Sequence, residues 1–218
     1  MCEKRFKAKG IFLDLDGTLV DSNQAYFGAA QTAFNTLGLE PPEMKVALEI
    51  PKRMEQGLDI DDLVTGDIRQ FKKVYLKSFY LLTEQKTRLV PNVSATLKAL
   101  SENAKLALIT MRFMPNQAIV NELNHLGIGK YFTHVITALD SCKPKPSPEA
   151  LIKCVQALDV DICDCLIAGD SVNDIRAGKA AGAKTVAVLS GLYYNEELTK
   201  ENPDLIIPDI TKLPNFVC

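Results

Sequence analysis

The chain has 218 residues, 47% hydrophobic and 24% charged, the balance of an ordinary globular protein that buries a real core, with or without a smaller insert. A formal charge of -2 excludes long-range attraction to nucleic-acid or membrane phosphates, and no apolar run is long enough to span a bilayer. The positive start, "EKRFKAK", leads into an apolar stretch that Asp14 and Asp16 interrupt, which argues against a signal peptide.

In chain order, the first predicted strand is "GIFLDL" (10–15). No strand is expected between 21 and 88. There "NQAYFGAAQTAFNTLG" reads as a helix ending at Gly38, and "FKKVYLKSFYLL" places Phe71, Val74, Tyr75 and Leu82 near helical spacing with lysines between them. A crossover needs one helix, so an interval this long is expected to form a separate all-helical unit.

After it, strands and helices alternate. The helix "VSATLKALSE" (93–102) follows the turn signal Pro91–Asn92, and the strand "KLALIT" (105–110) follows the helix. Next come the helix "NQAIVNELNHLG" (116–127), stopped by a glycine, and the strand "HVIT" (134–137). The helix "SPEALIKCVQALD" (147–159) opens with Ser147 as cap and Pro148 at its first position. The strand "CLIAG" (165–169), the Ala/Gly-rich helix "VNDIRAGKAAGA" (172–183) and the strands "KTVAVL" (184–189) and "DLIIP" (204–208) complete the chain. The strands are continuously apolar, as parallel strands covered on both faces are, so the expected class is α/β with helices on both faces of a parallel sheet.

Six cysteines, at 2, 142, 154, 163, 165 and 218, form no C-x2-C pair and have no matching histidine pair. They read as free thiols and small buried residues, in a reducing cytoplasm. His125 and His134 are isolated and receive no catalytic part.

Four polar signals stand at or shortly after the ends of four of these strands: Asp14 and Asp16; Thr110; the lysines 143 and 145 of "CKPKPSPE"; and Asp170 and Asp174 of "GDSVND". In open α/β sheets ligands bind beyond the carboxyl ends of the strands, so these residues are expected to converge. On one extended strand Asp14 and Asp16 would face the same side, roughly 6–7 Å apart. Like charges in one crevice repel, and Asp170 and Asp174 add to them. A hard cation relieves this, and Mg2+ suits a site with few carboxylates that keeps water and phosphate as its other ligands. A carboxylate so placed can attack phosphorus, a second can pass a proton to the leaving oxygen, and Thr110 with a lysine can hold the phosphoryl oxygens.

In order and placement these motifs, "DLDGT", the threonine of "LIT", "KPSPE" and "GDSVND", resemble the haloacid dehalogenase superfamily of aspartate-nucleophile hydrolases, in its phosphatase branch, over nearly the whole chain. The resemblance implies a Rossmann-like three-layer core with a mostly parallel sheet, formed by 1–20 and 89–218, and a helical cap formed by 21–88 that closes over the substrate and selects it. It implies Asp14 as nucleophile and Asp16 as general acid/base with its backbone carbonyl on the metal. Thr110 and Lys145 would bind phosphate, with Lys143 as the alternative lysine. Asp170 would bind Mg2+, and Asp174 would bind it or orient its waters. Phosphoglycolate-phosphatase-like members often carry a small polar residue after the threonine. Here Met111 and then Arg112 follow, so either one phosphate donor is missing or the backbone N–H of Met111 serves. Gly17 would let the chain turn and Thr18 would steady the loop. Lys52 and Arg53 of the cap are read as solvated surface charge rather than substrate contacts.

The implied activity is Mg2+-dependent hydrolysis of a small phosphorylated metabolite, phosphoglycolate-like or a sugar phosphate. A phosphomutase of the β-phosphoglucomutase type would use the same core residues. A regulatory protein phosphorylated without turnover, like a receiver domain, is disfavoured by Asp16 and by the insert. Neither nucleic acid nor membrane is an expected partner, and the oligomeric state is left open.

Overall fold

The computed structural model describes residues 6–218; Cys2 and most of the basic start lie outside them. The described chain falls into two compact units. One is drawn from Leu89–Cys218 together with the chain up to Leu19, and the other is Val20–Arg88.

The larger unit is built on a six-stranded sheet. Its strands are β1 (Gly10–Leu13), β4 (Lys105–Ile109), β5 (Phe132–Ile136), β6 (Cys165–Gly169), β7 (Lys184–Val188) and β8 (Leu205–Ile207), in the order β5-β4-β1-β6-β7-β8. Every pairing is parallel. β1, β4, β6 and β7 are buried along nearly their whole length, which is why they read as unbroken apolar runs. The helices α4 (Val93–Ser101), α5 (Asn116–His125), α6 (Glu149–Leu158), α7 (Val172–Ala181) and α8 (Asn195–Lys200) cover the sheet as the outer layers of a three-layer, Rossmann-like α/β fold. Phe12, Ile109, Leu151 and Ile167 belong to one buried cluster joining the central strands to α6 and α7. After β1 the chain builds β4 and β5 on one side, then crosses to β6, β7 and β8 on the other. The switch between β1 and β6 opens a crevice at their carboxyl ends.

The smaller unit contains α1 (Asn23–Thr36), α2 (Met44–Glu55) and α3 (Ile68–Lys86). The short strands β2 (Val20–Asp21) and β3 (Arg88–Leu89), which no apolar run announces, pair only with each other. Ala25, Ala29, Ala30 and Ala33 give α1 a flat face. Against it α3 sets Phe71, Tyr75 and Phe79, one helical turn apart. Phe71 meets Phe34 edge-on at 5.4 Å between centroids, and Phe79 stacks on Tyr26 at 4.5 Å. Full burial of each such ring contributes about 1.5–3 kcal/mol.

Lys52, expected at the surface, is buried, with Nζ 3.7 Å from a Glu49 oxygen. Consecutive helical residues point about 100° apart, and Lys52 follows the buried Ile50 and Pro51. Arg53, on the next position around, pairs outside with Glu49 at 3.2 Å and Asp62 at 2.5 Å.

Among the described residues no helix is long and apolar enough to cross a membrane. Cys142, Cys154, Cys163, Cys165 and Cys218 are free thiols. Burial pushes the Cys154 and Cys165 thiols up to about 12 and about 11, so neither is a ready nucleophile.

Candidate active site

β1 stops at Leu13, although the Asp14 N–H still donates to the Ala168 carbonyl of β6 at 3.1 Å. The chain then bends, and the Thr18 and Leu19 N–H groups fold back onto the Leu15 carbonyl at 3.3 and 2.9 Å. The expected strand pleat carrying both aspartates is therefore absent, and their carboxylates meet different cations. Gly17 sits in this turn at φ 80°, and a Cβ there would lie 2.6 Å from Asp170 Oδ2. Both the backbone and the approach of Asp170 require glycine. The Thr18 hydroxyl does not steady the loop, since it is buried and accepts and donates no hydrogen bond; its backbone does that work.

Asp14, Asp170 and Asp174 each bring a carboxylate oxygen into one cluster, all within 4.8 Å of one another. All three side chains are buried. Lys145 enters the cluster with its ammonium 2.7 Å from Asp14 Oδ1, 2.5 Å from Asp174 Oδ1 and 3.1 Å from the Ile109 carbonyl. Burial alone would lower that ammonium, but the charges of Asp14 and Asp174 outweigh it and hold it above its ordinary value. Burial also pushes the Asp14 carboxyl up to about 8, with Lys145 pulling down and Asp174 pushing up. Were all three ionised, they would set three negative charges against one ammonium in a buried space, a charge that a bound cation would balance. Such an all-oxygen donor set fits a hard divalent cation.

Local sequence places each member. Asp174, the third residue of α7, is half of a capping box: its Oδ2 accepts the Ser171 N–H at 3.1 Å, while Ser171 Oγ accepts the Asn173 N–H at 3.1 Å. "GDSVND" is thus both a helix cap and a site, one oxygen of Asp174 serving each. Gly169 is obligatory beneath it, because any Cβ there would overlap the Asp174 carboxylate. Asp170 is fixed by the Leu192 N–H, which donates to Oδ2 at 3.0 Å.

Lys145 and not Lys143 is the lysine brought to the aspartates. Lys143 is exposed, and its backbone N–H donates to Glu149 Oε2 at 3.0 Å. Glu149 also accepts the Cys142 N–H at 3.0 Å and pairs with Lys153 at 2.9 Å, clipping the "CKPKP" loop to the start of α6. The Lys153 bond first, then the two N–H groups, hold the Glu149 carboxyl down to about 2. A depressed carboxyl stabilises the fold above its ordinary 4.5 and loses that contribution as pH falls toward 2. Glu149→Gln is accordingly expected to lower the thermal midpoint at neutral pH, with the gap to wild type closing across that acid window in a pH series of melting curves.

Thr110 is buried after β4, and its Oγ1 accepts the Arg112 N–H at 3.3 Å, which leaves the O–H as a donor. Met111 is half-buried and offers only its backbone. Arg112, in the sequence merely a departure from a pattern, is buried, and its guanidinium forks onto Asp16. Nε donates to Oδ2 and Nη2 to Oδ1, each at 2.7 Å, while Nη1 donates to Glu122 Oε2 at 2.6 Å. The available signal was an arginine two residues past Thr110, the predicted strand end expected to converge with the carboxylates.

A family model described as haloacid dehalogenase-like hydrolase matches residues 11–188. The chain belongs to the haloacid dehalogenase-like hydrolases. It is an enzyme of the phosphatase branch of that family. The phosphoglycolate phosphatase of Escherichia coli K12 is 31% identical over 94% of this chain and 90% of its own length. Among solved structures, a predicted phosphoglycolate phosphatase from Haemophilus somnus aligns over 96% of this chain and 97% of its own, with a TM-score of 0.78 at 24% identity. A structure from Thermotoga maritima, described provisionally as a β-phosphoglucomutase, aligns over 95% and 97% with a TM-score of 0.70 at 22% identity. At these identities the two structures speak for the fold alone.

Proposed function

We propose that this enzyme hydrolyses a small phosphate monoester, phosphoglycolate being the first candidate, through an aspartyl-phosphate on Asp14 and with Mg2+ as its metal. The carrying observation is the buried Asp14 carboxylate, 2.7 Å from Lys145 and within the acidic cluster at the carboxyl ends of β1 and β6. Phosphoglycolate is favoured because the Escherichia coli relative named for it covers nearly the whole chain at 31% identity.

In this reading an Asp14 oxygen forms a bond to phosphorus as the ester P–O bond breaks, and Asp16 gives its proton to the departing alkoxide. Water then attacks the phosphorus, Asp16 takes the proton, and the Asp14 carboxylate leaves. Thr110 O–H, Lys145 and the Met111 N–H hold the phosphoryl oxygens. Asp14, Asp170 and Asp174, with the Asp16 backbone carbonyl, would hold the divalent cation, which when bound neutralises the phosphoryl oxygens against these carboxylates. Val20–Arg88 would serve as the substrate-selecting cap. A phosphomutase would share the first half of this chemistry, and the Thermotoga maritima likeness in fold keeps it as the second reading.

The test is phosphate release from phosphoglycolate and a panel of sugar phosphates. Release is expected with Mg2+, to cease on chelation and to return when Mg2+ is restored. Equal release in the chelator would sink the metal assignment. Isomerised sugar phosphate without free phosphate would establish the mutase.

A further inference from the structure

We propose that Arg112 is a positioning residue that sets the orientation of the Asp16 carboxylate, with Glu122 holding Arg112 in turn. This rests on the reading of Asp16 as proton donor given above.

The guanidinium commits all three of its nitrogens. Two donors meet the two oxygens of Asp16 at 2.7 Å each, and a third meets Glu122 at 2.6 Å. The Arg112 side chain is only 2% exposed, against 13% for Asp16 and 14% for Glu122. The three residues come from separate parts of the unit: the turn after β1, the segment after β4, and α5. The arginine's main chain is tied as well, its N–H to Thr110 Oγ1 at 3.3 Å and its carbonyl to the Ala138 N–H at 3.2 Å. Arg112 therefore links the threonine expected to bind phosphate with the aspartate expected to move the proton.

Stability alone is a poor account of this triad. Taking three charges out of water costs several kcal/mol each, and buried ion pairs commonly do no better than apolar residues of the same volume. What a planar fork provides, and an apolar side chain or a lysine does not, is a fixed plane for the carboxylate. The fork as it stands takes both oxygens of Asp16 as acceptors, the ionised form. When one oxygen takes a proton, as it does from the hydrolytic water, that oxygen must leave its N–H while the other keeps its bond, so the retained bond sets the plane from which the proton is delivered. Proton transfer depends on such alignment within hydrogen-bond reach.

The experiment compares wild type with Arg112→Lys, Arg112→Gln and Glu122→Gln, in the presence of Mg2+, on phosphoglycolate and on p-nitrophenyl phosphate. The alkoxide leaving from the first needs a proton; nitrophenolate does not. The readout is kcat/KM, which covers only the steps up to departure of the leaving group. Arg112→Gln is expected to lower it by about 100-fold for phosphoglycolate and to change it little for p-nitrophenyl phosphate. Arg112→Lys, which keeps the charge and loses the fork, is expected to shift the ratio of the two esters the same way, and Glu122→Gln to do so less. Added to Asp16→Asn, Arg112→Gln is expected to cause no further loss. Equal losses on both esters, or full additivity with Asp16→Asn, would overturn the proposal. If Arg112→Gln does not fold, the ester ratios of Arg112→Lys and Glu122→Gln decide, and unchanged ratios there overturn it. A wild type that cleaves neither ester, nor any sugar phosphate of the panel, refutes the proposed hydrolysis itself, a distinct result; where only a sugar phosphate is cleaved, that alkyl ester takes the place of phosphoglycolate in the comparison.

Discussion

Asp14→Asn is expected to lower phosphate release by on the order of 10⁴-fold or more, while the protein folds as well as before. An amide in place of the carboxylate has no oxygen that can form a stable bond to phosphorus. The folding half follows from the electrostatics of the position. Burial raises the Asp14 carboxyl to about 8, so at neutral pH the ionised form is disfavoured by the fold. A raised carboxyl opposes stability as pH climbs from the ordinary value of 3.8 through 8, and a neutral amide removes that burden. Lys145 keeps Asp174 at 2.5 Å and the Ile109 carbonyl at 3.1 Å. The thermal midpoint without added metal is thus expected to hold or to rise. Melting curves beside a phosphate assay separate the two halves. Release by the variant close to the wild-type rate would remove Asp14 from the nucleophile's part.

This opposition of function and stability also explains which parts of the site were legible beforehand. Asp14, Thr110, Asp170 and Asp174 stand next to continuously apolar strands, and a charged or polar residue at such a place has a local signature. The sheet was legible for the same reason, its buried strands being apolar on both faces. What could not be read is what depends on distant partners. Arg112 and Asp16 are separated by 96 positions, and nothing near either announces the other. The early stop of β1 at Leu13 comes from the turn at Leu15–Leu19, so the strand does not extend through Asp16 as its apolar run suggested. Lys52 failed for a related reason: a lysine among charged neighbours looks solvated until the helix face it occupies is known. The ribbon of β2 and β3 is too short to carry a pattern at all.

Lysines 143 and 145 could not be separated by spacing, and replacing each by methionine separates them by experiment. Lys145→Met is expected to cost about 3–5 kcal/mol of stability, because it leaves a buried group of like charges without its counter-ion. For a chain of this size that corresponds to a fall of roughly 10 °C in thermal midpoint. Phosphate release is expected to fall by about 10²–10³-fold, the loss typical of one preorganised donor to developing charge. Lys143→Met should change neither quantity measurably, since the Lys143 side chain is exposed and only its backbone N–H is used, on Glu149. Mg2+ gives the decisive comparison. A ligand that binds only the folded protein stabilises it in proportion to its affinity. Removing the ammonium from between Asp14 and Asp174 raises the negative potential at the cluster. Mg2+ is therefore expected to lift the midpoint of Lys145→Met by more than that of wild type, without restoring the activity that needs the lysine at the phosphoryl oxygens. If Lys145→Met melts and turns over like wild type, or if Lys143→Met shows the loss instead, the lysine in the acidic cluster is a bystander. Mg2+ lifting both proteins equally would mean that the ammonium and the cation do not share the field of these three carboxylates.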